Sequence, residues 1–211
     1  MQQTKPYVIT ISHKKGGVGK TTIACNLASE LSKIYNTKVI DLDSQKQTTK
    51  FNNKRTNKFN IKDIKDSKEL ISFLKKNKSL VIIDMGGYDS NLARTTLLLS
   101  DLIITPLSDT DNDLDGFVEF KNTIRELQDI QKDLKCNVLV NRVHHRDKKT
   151  HLNLKKYISN FDNFDIFNTV LTNKKEYKRM LSSGNSVLES FKGTTRHELE
   201  ELISEIEEMI K

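Results

Sequence analysis

The chain has 211 residues, 36% of them hydrophobic, with 2 prolines, enough for one core of ordinary domain size. Its net charge of +7 rests on 35 Lys and Arg, 28 of them lysine, against 28 Asp and Glu, a basic balance that invites a nucleic-acid partner. Cys25 and Cys136 are too few for a disulfide framework or a metal cage, no apolar run approaches the roughly 18 residues of a membrane span, and "MQQTKPYVIT" lacks a signal-peptide profile.

In chain order, YVITI (Tyr7–Ile11), KVIDL (Lys38–Leu42), LVIID (Leu80–Asp84), LIITPL (Leu102–Leu107), NVLVNRV (Asn137–Val143) and FNTVL (Phe167–Leu171) read as strands. Most are nearly continuous Val, Ile and Leu, as strands buried on both faces should be. Helical patterns fall between and after them, near 20–35, 66–77, 89–100, 113–131, 149–160, 174–182 and 195–210. The alternation predicts an α/β fold: a mostly parallel twisted sheet with helices on both faces, in one domain over 1–211. Residues 46–66 are polar, basic and poorly periodic, and no element is expected there. The two cysteines are expected to be small buried hydrophobes.

Between the first strand and the first helix lies SHKKGGVGKTT (Ser12–Thr22). Backbone N–H groups of Gly16–Thr21, with Val18 among them, can wrap a phosphate at a helix N-terminus, where the dipole also favours negative charge. Glycines at 16, 17 and 19 allow close approach. Lys20 is placed to reach the β and γ phosphates of a nucleotide, and the Thr21 hydroxyl to meet Mg2+. Two lysines remain. Lys14 stands where G-x-x-x-x-G-K-S/T wants its first glycine, and Lys15 lies inside the loop.

KKGGVGKTT resembles the deviant phosphate loop, K-G-G-x-G-K-S/T-T, of the ParA/MinD ATPases. The resemblance implies a three-layer P-loop NTPase fold, and a Lys15 that reaches across an ATP-bound homodimer to the partner's phosphates. A second cation there would stabilise charge that shifts during phosphoryl transfer. Lys14 then has no loop role and is expected at the solvent. VIDLDSQKQTT resembles the family's D-x-D-P-Q motif with Ser44 in place of proline. By that resemblance Asp43 orients the attacking water and Asp41 supports the Mg2+ shell. LVIIDMGG places Asp84 as the acid that holds Mg2+ through water, and DMGG resembles the D-G-A-G variant of small plasmid-partition ATPases typified by ParF. DLIITP (Asp101–Pro106) and GNSVLES (Gly184–Ser190) match that subgroup too. Asn141 and Arg142 resemble the pair near the adenine, and Thr22 closes the loop motif. The likeness runs over essentially the whole chain, with its motifs concentrated in 7–143, and it includes no N-terminal helix-turn-helix domain.

Surfaces choose among functions within such a superfamily. Residues 194–211 carry two basic and six acidic side chains, so the last helix would be repelled by an anionic bilayer. Its Leu199, Leu202, Ile203, Ile206, Met209 and Ile210 are expected to pack on the sheet. Residues 142–179 carry ten basic and four acidic side chains. By resemblance, Lys174, Lys175, Lys178 and Arg179 there would meet DNA phosphates without sequence preference. His144, His145 and His151 find no carboxylate or cysteine to complete a metal site and are expected at the surface. An iron–sulfur role fails because Cys25 lies in the loop's own helix. Ligases of this fold, such as dethiobiotin synthetase, lack a counterpart of Lys15.

The expectation is thus a cytoplasmic, nucleoid-associated ParA-type ATPase using ATP and Mg2+, with weak intrinsic turnover. It would segregate plasmid or chromosomal DNA as an ATP-bound homodimer or a higher polymer. A small ParB-like centromere-binding protein would stimulate it, and no membrane would be involved. The alternative is an orphan ParA-like ATPase that positions another cargo, such as a microcompartment.

Overall fold

The computed structural model describes residues 5–87, 89–144 and 148–211, the side chain of Lys148 excepted. Strands β1 (Tyr7–Ile11), β2 (Thr37–Asp41), β3 (Asn60–Ile61), β4 (Leu80–Asp84), β5 (Leu102–Leu107), β6 (Cys136–Val143) and β7 (Phe164–Thr172) form one sheet in the order β3-β2-β4-β1-β5-β6-β7. Every pairing is parallel. The helices among the described residues are α1 (Lys20–Leu31), α2 (Gln47–Lys54), α3 (Ser67–Lys76), α4 (Asn91–Leu98), α5 (Asp111–Gln128), α6 (Lys148–Ile158), α7 (Lys175–Ser183), α8 (Val187–Ser190) and α9 (Thr194–Ile210). The six strands read from the sequence are all present.

Alternation along each strand divides the core into layers, because successive side chains point to opposite faces. Ile9, Ile11, Ile82 and Ile104 pack on one face with Leu27 of α1 and Leu199, Leu202 and Ile206 of α9. On the other face, Val8, Val81 and Ile83 meet Leu70 and Leu74 of α3. There Ile103 and Val138 meet Phe117, Phe120 and Ile124 of α5. Each fully buried side chain of this size contributes about 1.5–3 kcal/mol. The C-terminal stripe packs as expected except at its end, where Met209 is 39% exposed. His151 also departs from expectation. It is half-buried, with Nε2 3.5 Å from the Phe167 carbonyl, because α6 lies against β7. His144 is exposed, and His145 lies outside the described residues.

The segment 46–66 holds α2 and the edge strand β3, which periodicity did not signal. Tertiary contacts supply the reason. Phe51 of α2 is buried in the core, and Asn52 exchanges hydrogen bonds with the backbone of Phe59 at 2.9 and 3.0 Å. At the far end of α2, Arg55 is buried under the rings of Phe51 and Phe59. Its guanidinium donates to both oxygens of Glu189 at 2.9 Å and to the Gly184 carbonyl. Glu189 also completes a capping box with Ser186 at the start of α8. GNSVLES is therefore a structural clamp on α2.

Burial pushes the Glu189 carboxyl up, but hydrogen bonds from Arg55 and the Ser186 N–H, with the charges of Arg55 and Lys33, outweigh it and hold the pKa at about 2. A depressed carboxylate stabilises the fold fully above its unfolded value of 4.5, and the contribution disappears as pH falls through about 2. Arg55→Ala should lower stability by about 3 kcal/mol, the low end for a broken buried pair because the Glu189 side chain is 21% exposed. Urea denaturation at pH 7 and pH 3 checks this: the deficit should be smaller at pH 3.

Candidate nucleotide-binding site

The loop after β1 closes into α1 at the C-terminal ends of the parallel strands, where an open α/β sheet binds its ligands. Gly17 has φ +79° and Gly19 φ +107°, the left-handed region that glycine occupies without penalty. At Gly19 there is also no room: a Cβ would lie 2.4 Å from Asn141 Nδ2. Asn141 is buried and donates to the Val18 carbonyl at 2.7 Å. Arg142 has φ +62° and is the extra residue of a bulge, since Asn141 pairs with Leu171 and Val143 with Thr172. A bulge re-aims a side chain, and here the Arg142 guanidinium reaches the Gly17 carbonyl at 2.6 Å. The expected Asn141–Arg142 pair thus supports the loop directly.

Beside it lies a cavity of about 170 Å3 lined by Gly17, Gly19, Thr22, Asn141, Arg142, Leu171, Tyr177 and Leu199. Its apolar walls and few polar groups suit a nucleoside next to a phosphate cradle. Lys174 and Lys178 line the same cavity, and Lys178 is exposed, as Lys175 and Arg179 are, while Lys174 is half-buried.

Lys20 is buried and its ammonium donates to the Lys15 carbonyl at 2.8 Å. Burial lowers its pKa, while Asp84 and Asp43 pull the other way. The Lys15 side chain points away from this cradle and pairs with Asp113 of α5 at 3.0 Å. Asp113 also accepts from the Ser108 hydroxyl. Burial raises its pKa, but Ser108 and Lys15 lower it further, so the net shift is downward. Gly116 lets α5 approach this closely, since a Cβ there would meet His13 Cε1 at 2.8 Å and Lys15 Cβ at 2.9 Å. His13, fully buried, accepts from the Lys15 N–H at 3.0 Å. Burial and the charges of Lys20 and Lys15 push its pKa down to about 4, so it is neutral near pH 7. Lys14 corrects the expectation of solvent exposure: its side chain is 19% exposed and pairs with Asp89 at 3.2 Å.

Two acids flank the loop on the other side. Asp84 is completely buried. Its Oδ2 accepts from the Thr48 hydroxyl at 2.7 Å, and among the described residues its Oδ1 has no hydrogen-bond partner. Burial raises its pKa to about 6 against the downward pull of the nearby Thr48 and Thr21 hydroxyls. A buried carboxylate oxygen beside a threonine hydroxyl is a hard-oxygen set that fits Mg2+. Among the described residues no three His, Cys, Asp or Glu side chains cluster as a metal cage. The sequence put Asp41 in the metal shell, but both its oxygens have protein donors. Oδ2 accepts from the Thr49 N–H and hydroxyl at 2.8 Å, and Oδ1 from the Asp43 N–H at 3.2 Å. Asp43 is half-buried, accepts from the Gln45 N–H at 2.8 Å and opens onto a groove with Gly86 and Gly87.

The CobQ/CobB/MinD/ParA nucleotide-binding domain model matches residues 9–187. The chain belongs to that family. Among solved structures, a Borrelia burgdorferi chain named for plasmid partition and bound to AMPPNP is 20% identical, covers 98% of both chains and has a TM-score of 0.70. The ATP complex of Cyanothece McdA is 16% identical at TM-score 0.78, covering 98% of this chain and 96% of that one. MinD in its complex with MinC from Aquifex aeolicus is 14% identical at TM-score 0.75, covering 96% of each. A curated relative, the uncharacterized protein MJECL24 of Methanocaldococcus jannaschii, is 64% identical over 39 residues, a match spanning 18% of this chain and 15% of that protein. The structural likenesses share the ParA/MinD fold with this chain.

The sequence missed Thr48, Thr49, Asp113 and His13. Two threonines opening a helix just after the acidic motif were the one visible hint of the first pair. For an acid with a raised folded pKa, stability falls as pH rises from the unfolded value of 3.8 through about 6. Asp84→Asn should therefore stabilise the nucleotide-free fold at pH 7.5 by about 1–3 kcal/mol, with a smaller gain at pH 5. Thermal melts at the two pH values, without nucleotide, measure it.

Proposed function

We propose that this chain is a ParA-type ATPase that segregates DNA, with plasmid DNA as its foremost cargo. The observation that carries the reading is the pair of lysines. Lys20 turns into the loop, whereas Lys15 turns out of it, toward the mouth formed with α5. A cation that leaves its own cradle is suited to reach the phosphates of a second subunit. Nucleotide state would then be coupled to dimerisation.

In this reading the N–H groups of Gly16–Thr22 wrap the phosphates, Lys20 lies on the β and γ groups, and the nucleoside fills the cavity beside Arg142. When bound, Mg2+ would supply positive charge against the negative charge developing on the phosphates. Thr21 and, through water, Asp84 would hold it. Asp43 faces the open groove and orients the attacking water. Asp41 fixes the loop that carries Asp43. Lys15 of each subunit supplies charge to the other's phosphates. The exposed Lys175, Lys178 and Arg179 meet DNA phosphates in the dimer, with the half-buried Lys174 at the edge of the nucleoside cavity. A small centromere-binding partner would stimulate hydrolysis and reset the cycle at the nucleoid.

The first test is binding of random-sequence duplex DNA with ATP, with ADP and with neither, across a salt series. The expected result is binding with ATP alone, weakening steeply as salt rises; absence of binding in every state would overturn the DNA role. Lys20→Ala should abolish ATP binding by equilibrium dialysis. Lys15→Gln should retain monomer ATP binding while losing the ATP-dependent dimer in light scattering, with stimulated turnover down on the order of 10²-fold. Normal ATP-dependent dimers from Lys15→Gln would contradict the role given to Lys15.

A further inference from the structure

We infer that Thr48 is a positioning residue for Asp84: its hydroxyl holds Oδ2 so that Oδ1 faces the cation side of the phosphate loop. The inference rests on the nucleotide reading above and deepens its metal half.

Four observations carry it. Thr48 is fully buried, and its hydroxyl donates to Asp84 Oδ2 at 2.7 Å across 36 residues of sequence. Thr48 is the second residue of α2, so no carbonyl of its own helix stands a turn before it, and its hydroxyl is left to bond outside the helix. Cys25 Sγ lies 3.5 Å from the Thr48 oxygen, so with the threonine proton given to the carboxylate the hydroxyl can accept from the thiol. Burial pushes the Cys25 pKa upward, so the thiol keeps the proton that this relay requires.

The other end of the carboxylate completes the argument. Among the described residues Oδ1 is buried and has no partner within hydrogen-bonding distance, a placement that costs free energy unless a ligand meets it. The Thr21 hydroxyl lies near the same carboxylate. One oxygen fixed by a hydroxyl and the other open to the loop is the arrangement in which an outer residue sets the aim of an acid toward a metal shell. The mount is rigid as well. α2 is tied at its start to Asp41 through Thr49, in its middle to the core through Phe51, and at its end to Glu189 through Arg55. Adjacent threonines on one helix thus fix both acids that flank the loop.

The test titrates Mg2+ into the full chain with a fluorescent ATP analogue and reads nucleotide affinity with and without the ion. Wild type should bind the analogue more tightly as Mg2+ rises. Thr48→Val, which keeps the shape and removes the hydroxyl, should raise the Mg2+ concentration for half-maximal tightening by about 10–100-fold. Thr48→Ser should restore it to near the wild-type value. Thr48→Ala removes the same hydroxyl without the branch and serves if the valine variant does not fold. An unchanged half-saturation in the variants lacking the hydroxyl, beside a normal wild type, would overturn the inference alone. So would an equal loss of affinity with and without Mg2+, which marks a merely structural role. A wild type that binds no nucleotide, or ignores Mg2+, would overturn the nucleotide reading and this inference with it.

Discussion

A carboxylate buried at the end of a parallel strand destabilises a fold unless something is built to meet it. Asp84 is such a group, and the surrounding architecture is arranged about it. β4 lies between β2 and β1, so the acid comes out of the sheet beside the phosphate loop on one side and the Asp41–Asp43 strand end on the other. Helix α2 then closes over it and gives one oxygen a partner. Among the described residues the other oxygen has none. Free energy given up in the unliganded state makes ligand binding more favourable at the same place.

A second constraint is backbone proximity. α5 can lie on the loop only because Gly116 has no side chain, and the loop can lie on β6 only because Gly19 has none. These approaches bring together residues remote in sequence. Lys15 meets Asp113, and Val18 meets Asn141. The loop is thus held from both sides by side chains of β6 and α5, and Lys20 turns inward while Lys15 turns outward. An ion pair with the nearly buried Asp113 holds the Lys15 side chain in place.

Charge is distributed with similar economy. Lys174, which precedes α7, and Lys178 of α7 line the cavity beside the loop, and Lys175, Lys178 and Arg179 are exposed. The acidic helix α9 meets α7 where Glu198 accepts from the Tyr177 hydroxyl at 3.2 Å. Glu198 bonds the backbone and hydroxyl of Thr172, and Glu205 bonds those of Thr169, so part of its negative charge serves to hold β7.

The sequence by itself determined the parallel sheet, the phosphate loop and the acids at the ends of β2 and β4. Those depend on short-range pattern: runs of Val, Ile and Leu buried on both faces, glycines between a strand and a helix, and carboxylates closing strands. Tertiary structure alone decided what holds them. α2 has one large apolar residue in eight and no period to announce it, and it exists because Phe51, Arg55 and the two threonines find partners elsewhere. Lys14 sits by a phosphate loop yet pairs with Asp89, which follows a different strand. Thr48 and Asp84 stand 36 residues apart, Lys15 and Asp113 98 apart. No local pattern encodes such a pair, because the two side chains meet only after the strands between them have been laid side by side.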